Sequence, residues 1–504
     1  MTTVDRIPVS SATGVSSTTG AKTLTDVAEA IRTGVTTSVQ VVTDAIEAAE
    51  KYDKAVGIYL TRYDEQALEA ARAADAALAA GEPVGPLHGV PLGIKDIIST
   101  REGETTAQSL VHDRTAMSGD AVVVERLRAA GGIVMGKLTT MEFAIGMPDP
   151  AKPFPIPRCS WDLERWAGGS SSGSGSSVSL GAVHGALGTD TGGSIRIPAA
   201  YCGITGLMPT YGLVPKSGTV PLGYTLDHIG PMARSARDCA ALLDVLAGPH
   251  PSDPTLAAAP SVDYTGALTG DLTGVRIGVD RLERVNPEYD PALNRAFDAA
   301  LEVLTGLGAQ VVEIELPHYA EMTTADEVIM FSEAFSYHLP DLRTRWLDYG
   351  AATRQTIGAA LYYSSADYLQ AQRARRVGQK AIQRTFENVD LILTPTVGGG
   401  AASLERVKDG FFQPGGIGPV YTGYWDTTGN PVMSVPFGFT DDGMPLGLQI
   451  AGRWFDEQLV LRAGDAFQRR TDWHLHAPDP LNSPVPQSNS TTSRARNREV
   501  IASY

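Results

Sequence analysis

Residues 168–194 read GGSSSGSGSSVSLGAVHGALGTDTGGS. Nine of these 27 positions are glycine and eight are serine, a density found nowhere else in the chain. Composition alone describes a flexible linker. Val178, Leu180, Ala182, Val183, Ala186 and Leu187 argue against that, because they form a helix-compatible apolar pattern that a linker has no reason to carry. The glycines then read as places where backbone must come close to something. The end of the stretch, TDTGGS at 189–194, suggests what. Gly192 and Gly193 have no side chains, so the N–H groups of Thr191, Gly192, Gly193 and Ser194 can turn inward as a nest for a carbonyl oxygen, with the Ser194 hydroxyl beside it. A serine hydroxyl is a poor nucleophile until a base takes its proton. That base must come from elsewhere in the chain.

Working outward, residues 24–80 read as helical, with EQALEAARAADAALAAG at 65–81 ended by Gly81 and Pro83. LHGVPLGIKDII (87–98) reads as a buried strand, DAVVVERLRAAGG (120–132) as a helix closing on glycine, and GGIVMGK (131–137) as a further strand. This alternation predicts an α/β fold with a mixed central sheet covered by helices on both faces. No internal repeat or long linker divides the chain. The expected organisation is a flexible segment over 1–22, one large domain over 23–481 with a loop at 249–261, and a flexible polar tail over 482–504.

The chain has 504 residues, 43% of them hydrophobic and 19% charged, enough to bury a full core. Lys plus Arg number 41 against 57 Asp plus Glu, a net charge of −16, which argues against a nucleic-acid surface or an anionic membrane partner. The three cysteines, Cys159, Cys202 and Cys239, show no metal-ligand spacing and cannot form a disulfide framework. With no secretory pattern and no run of 18 apolar residues, the expectation is a cytoplasmic protein.

GGSSSGS at 168–174, DTGGSIRIPAAYCG at 190–203 and GVPLGIKD at 89–96 resemble the signature of the amidase signature family. The matching stretches occur in the family's order, with 75 residues from Lys95 to Ser170 and 24 from Ser170 to Ser194. The likeness continues through 124–146, 226–248, 391–396 and 443–457, and covers roughly residues 24–470. It implies a single amidase domain and an amide hydrolase acting on carbon–nitrogen bonds other than peptide bonds. Ser194 would be the acylated nucleophile, Ser170 a bridging serine preceded by a cis peptide, and Lys95 the terminal base. Thr191, Gly192, Gly193 and Ser194 would supply the oxyanion donors, and no metal or organic cofactor would be needed. The chemistry can be argued independently: a lysine among Gly93, Ile94, Ile97 and Ile98 is desolvated, which lowers its pKa and leaves it partly neutral near pH 7. The chain departs from the family pattern at Ser172, where a glycine is usual, and at Asn430, where a small apolar residue is usual.

Other readings of these residues are weaker. GSSSG at 169–173 fits a nucleophile elbow with Ser171 at its centre, but it follows the charged, helix-like CSWDLERWA instead of an apolar strand. GGIVMGK mimics a phosphate-binding loop, but Leu138 stands where Ser or Thr is required, so Lys137 reads as an ordinary lysine. His474 and His476 read as surface residues, Cys202 as a small buried one. Asp190 and Arg196 read as a pair holding the loop, and Asp96 as an anchor of the lysine strand.

Fourteen of the 35 aromatic residues fall between Phe331 and Trp425, and with Phe154, Trp161 and Trp166 at a mouth they suggest an aryl or hydrophobic acyl substrate: an amide, anilide, hydrazide or carbamate. The partner expectation is a small-molecule amide, with no nucleic acid, no membrane and a possible homodimer. The alternative is the glutamine-hydrolysing subunit of a tRNA-dependent amidotransferase. An inactive binding protein is disfavoured because all three proton carriers are present.

Overall fold

The computed structural model describes residues 17–19, 21–259, 261–286, 289–408 and 416–482. Most of the 1–22 segment and of the 482–504 tail therefore lies outside the described residues. The strands in chain order are β1 Ser17–Thr19, β2 Tyr59–Arg62, β3 Pro91–Lys95, β4 Ile133–Leu138, β5 Gly185–Asp190, β6 Thr205–Met208, β7 His228–Ala233, β8 Arg276–Val279, β9 Gln310–Glu313, β10 Leu391–Pro395, β11 Val432–Phe439, β12 Pro445–Gly452 and β13 His476–Pro478. Eleven form one sheet in the order β2-β4-β3-β5-β7-β6-β11-β12-β10-β8-β9. Pairing is parallel at β4-β3-β5 and at β10-β8-β9, and antiparallel elsewhere, so the sheet is mixed as expected.

Both faces of the sheet's central strands are buried, while the edge strands β2 and β9 are partly exposed, which is why the central strands read as continuous apolar runs. Ile133 and Met135 pack with Ala186 and the helix Ser38–Val56 on one side, while Val134 and Leu187 join Leu92 and Ile94 on the other. The same alternation sends Leu391 and Leu393 to one face and Ile392 to the opposite one.

One local expectation needs correction. The region 24–80 is three helices, Leu24–Arg32, Ser38–Val56 and Asp64–Ala79, but Tyr59–Arg62 between them is an edge strand paired with β4. Its aromatic and β-branched residues outweigh the helical surroundings. Within the expected flexible 1–22 segment, β1 pairs antiparallel with β13.

Candidate active site

β3 and β5 run parallel in register, Ile94 opposite Leu187, and this places the end of the lysine strand beside the TDTGGS loop. The serine-rich stretch packs against both. Its first part is an irregular turn with a cis peptide between Gly169 and Ser170, and Ser172–Ser179 is a helix, shorter and earlier than the apolar pattern suggested. Gly173 is needed there because a Cβ would lie 2.5 Å from the Ile58 carbonyl oxygen. Ser172 begins the helix and donates to the Gly168 carbonyl at 2.5 Å, so the extra hydroxyl is accommodated within the turn. Asn430 is buried and donates from Nδ2 to the Gly452 carbonyl at 2.8 Å.

Lys95 is completely buried, and its Nζ donates to Ser170 Oγ at 2.7 Å and to Thr189 Oγ1 at 2.6 Å. Burial lowers its pKa to about 7, against the opposing pull of Asp190 and Asp227. Ser170 is 1% exposed, whereas Ser194 and Gly192 are half-buried. The Ser171 N–H donates to the Ser194 carbonyl at 3.1 Å, tying the serine turn to the glycine loop. Ser171 itself is sealed in, its hydroxyl bridging the Thr189 N–H and carbonyl, each at 3.2 Å. That position does not suit a nucleophile.

The loop is fixed from beneath. Asp190 Oδ1 accepts from the Gly193 N–H at 2.5 Å, and Oδ2 from the Ile195 N–H at 3.1 Å. Of the four expected oxyanion donors, the Gly193 N–H is thus already engaged, while Thr191, Gly192 and Ser194 keep theirs. Gly193 has φ +126°, and a Cβ there would sit 2.1 Å from Thr422 Oγ1, so the loop admits only glycine. Thr422 Oγ1 donates to the Gly192 carbonyl at 2.6 Å. Arg196 holds Asp190 through Nε and Nη2 and also reaches Asp426, as expected of a loop-holding pair.

Several contributors were not foreseen. Thr189 is a second hydroxyl on the lysine. Asp426 and Asp326 are buried acids brought from residues far along the chain, and Asp326 Oδ2 lies 3.1 Å from where a Gly192 Cβ would stand. Arg375, 8% exposed, lies near Asp326 and donates to Thr427 and Thr225. A cavity of about 230 Å³ behind the loop is lined by Thr189, Thr191, Lys216, Asp227 and His228. Separation in sequence hides such groupings.

The remaining expectations divide. Asp96 anchors its strand through Thr106 and Lys137. Cys202 is fully buried, and burial pushes its thiol well above the usual range. Lys137 is no ordinary lysine: it is fully buried and ion-paired with Asp96 at 3.1 Å. His474 is buried and His476 half-buried, the latter packed on Phe439 and Trp473, so neither is a plain surface residue. No group of three or more His, Cys, Asp or Glu side chains is arranged to hold a metal ion among the described residues. Trp161 and Trp166 lie in a core with Tyr201 and Met444 and form no mouth. Phe331, Tyr421, Tyr424 and Trp425 are core residues, Tyr337, Trp346 and Tyr362 lie on the surface, and Phe411 and Phe412 are outside the described residues. No helix among the described residues is long and apolar enough to cross a membrane.

Comparison with known proteins bears directly on this arrangement. The family model described as Amidase matches residues 40–461. A relative from Roseiflexus sp. (strain RS-1), named as one of the subunits of glutamyl-tRNA(Gln) amidotransferase, is 41% identical over 480 residues, covering 91% of this chain and 98% of its own. The solved structure of the subunit of that name from Thermotoga maritima superposes with a TM-score of 0.72 at 29% identity, covering 86% of this chain and 92% of its own. A solved chain from a vestigial complex, described for the origins of an s-triazine catabolic enzyme, gives a TM-score of 0.82 at 33% identity, with 89% and 98% covered. These relatives correct the partner expectation. Proteins this similar along their whole length are named as subunits of an enzyme of glutamyl-tRNA(Gln), so acidic net charge does not exclude nucleic acid, and a solitary enzyme of small-molecule amides is not upheld. Net charge averages over the whole surface and is blind to what one face, or another protein bound to it, contacts. On the extent of these matches, the chain belongs to the amidase signature family of hydrolases, enzymes that act on amide carbon–nitrogen bonds.

Proposed function

We propose that this chain is the glutamine-hydrolysing subunit of a tRNA-dependent amidotransferase. The observation that carries the reading is the 41% identity, over nearly the full length of both chains, to a protein named as a component of glutamyl-tRNA(Gln) amidotransferase. The aryl-acyl reading lost its support when its aromatic residues turned out to be mostly core or outer surface. A short, polar substrate side chain suits a nucleophile flanked by glycines, threonines and buried acids.

In this reading, neutral Lys95 accepts a proton from Ser170 as Ser170 takes one from Ser194, and Ser194 Oγ bonds to the amide carbon. The carbonyl oxygen, now negative, rests on the N–H groups of Thr191, Gly192 and Ser194. The proton returns along the same relay to the nitrogen, the carbon–nitrogen bond breaks, and ammonia leaves an acyl-serine. Water then delivers a proton to the relay and its oxygen to the acyl carbon, freeing glutamate and Ser194.

The test is a panel of glutamine, asparagine, benzamide and anilides offered to the purified chain, with ammonia or amine release and intact mass as readouts. Glutamine should be hydrolysed in preference, and Ser194→Ala should abolish both turnover and any acyl adduct. Rapid turnover of anilides with none of glutamine would overturn the substrate. An acyl adduct persisting in Ser194→Ala would overturn the nucleophile.

A further inference from the structure

Beneath the glycine loop lie three carboxyl groups, Asp190, Asp426 and Asp326, at 0%, 0% and 3% exposure, with one equally buried guanidinium, Arg196. Each element packed there contributes: Asp190 from β5, Arg196 from the helix Arg196–Cys202, Asp426 from Gly423–Thr428, and Asp326 with exposed Glu327 from Tyr319–Thr344. Arg375 from Ser365–Asn388 and His228 from β7 complete the charged surroundings. Buried charges are retained when they are paired, and two guanidiniums, Arg196 and the 8% exposed Arg375 near Asp326, do not neutralise three carboxylates.

Hydrogen bonding shows which acid is the anion. Both oxygens of Asp190 are filled by the Gly193 and Ile195 N–H groups and by Arg196 Nη2 and Nε. Asp426 receives one donor, Arg196 Nη2 on Oδ2 at 2.5 Å, while its Oδ1 is buried with no partner among the described residues. The same Nη2 contacts Asp190 Oδ1 at 3.1 Å, so one nitrogen holds the two carboxyls side by side. An ionised Asp426 would present an unsolvated oxygen to another carboxylate.

We propose that Asp426 is a positioning residue that stays protonated and shares its proton with Asp190, so that a carboxylic acid, a carboxylate and Arg196 together lock the N–H groups on either side of Ser194. Burial and the neighbouring Asp190 charge both raise the Asp426 carboxyl well above its usual range, whereas Arg196 outweighs burial at Asp190 and holds it far below. His228, lowered by burial to about 3, stays neutral and adds no competing charge. The role given to Ser194 rests on the proposed function; the location of the proton does not.

Two measurements separate these claims. Infrared difference spectra of the wild type against Asp426→Asn, at neutral pH, should show loss of a protonated-carboxyl band. Loss of carboxylate bands instead would overturn the proposal. In glutamine hydrolysis, Asp426→Asn keeps a neutral group of the same shape, so kcat should fall by no more than about tenfold and the acid limb of kcat/KM should stay near 7. Asp426→Ala should lose about a hundredfold or more in kcat, with little change in KM. A limb that drops by about one unit in Asp426→Asn would mean that a negative charge had been removed near Lys95, and would also overturn the proposal. If the wild type does not hydrolyse glutamine, the substrate reading fails while the infrared result still decides the proton.

Discussion

Replacing Thr189 by valine removes one of the two hydroxyl oxygens that accept from Lys95 and leaves the shape of the strand unchanged. Its effect can be worked from the site. The Thr189 bond is 2.6 Å long and fully buried, so solvent does not screen it. A hydrogen bond from an ammonium contributes about 1.5–3 kcal/mol, one from a neutral amine about 0.5–1.5 kcal/mol, and the difference of roughly 1–1.5 kcal/mol favours the charged lysine. At about 1.4 kcal/mol per pKa unit, losing that preference lowers the Lys95 pKa by about one unit. The wild-type value is lowered to about 7, and the neutral form is the one able to accept a proton, so activity rises as pH passes upward through it. In Thr189→Val, the acid limb of kcat/KM should therefore move to about 6. Ammonia release from glutamine, followed over roughly pH 5 to 9, reads both the position of the limb and the height of the plateau. The plateau is free to fall if the amine is held less firmly; the position of the limb decides the matter. A limb that stays in place or moves upward would refute the assignment of Lys95 as the terminal base.

Three further outcomes follow from the same geometry. Gly193→Ala places a Cβ at φ +126° against Thr422 and should cost at least about a hundredfold in kcat, with circular dichroism unchanged, because the clash is confined to one loop. Lys137→Ala leaves Asp96 buried without its ion-pair partner and should destabilise the fold by about 3–5 kcal/mol, measured by denaturant unfolding. Asp326→Ala removes the buried acid whose Oδ2 lies 3.1 Å from where a Gly192 Cβ would stand, and it should change KM for glutamine by about tenfold or more while kcat changes less; an effect confined to kcat would show that Asp326 does not act on bound substrate.

What could be read in advance was whatever the chain states locally. Glycines at fixed offsets from Ser194, and apolar runs broken by glycine around Lys95, are constraints written in adjacent residues, and the observed strands and loop follow them. The strand at Tyr59–Arg62 was hidden because it is four residues long between two strong helices and owes its conformation to pairing with β4. Trp161 and Trp166 misled for a related reason. Large aromatic side chains in a loop look available, yet the interior gains most from burying them, and here they pack under Tyr201. The acid cluster gave no signal at all: Asp190, Asp326 and Asp426 are spread over more than two hundred residues of sequence and meet only because three separate elements converge under one loop.

Lys95 and Lys137 show why composition around a lysine does not reveal its role. Both are completely buried, both lie on neighbouring strands of one sheet, and both are flanked by apolar residues. The register pairs Ile94 with Lys137 and Lys95 with Leu138, so the two side chains leave opposite faces. Burial lowers the pKa of each, but their partners differ in kind. Lys137 meets the Asp96 carboxylate at 3.1 Å, the Ile98 carbonyl and the Thr105 hydroxyl, a set of acceptors that supports a permanent positive charge. Lys95 meets two hydroxyls, each able to donate as well as accept, and its nearest carboxylates act only at a distance. Hydroxyl partners stabilise either protonation state, so this lysine can lose and regain a proton without leaving an unsatisfied buried charge. The same residue type in the same sheet is a structural cation on one face and, in the proposed mechanism, the proton acceptor on the other, and the difference is set by one carboxylate, Asp96, placed one residue beyond the end of β3.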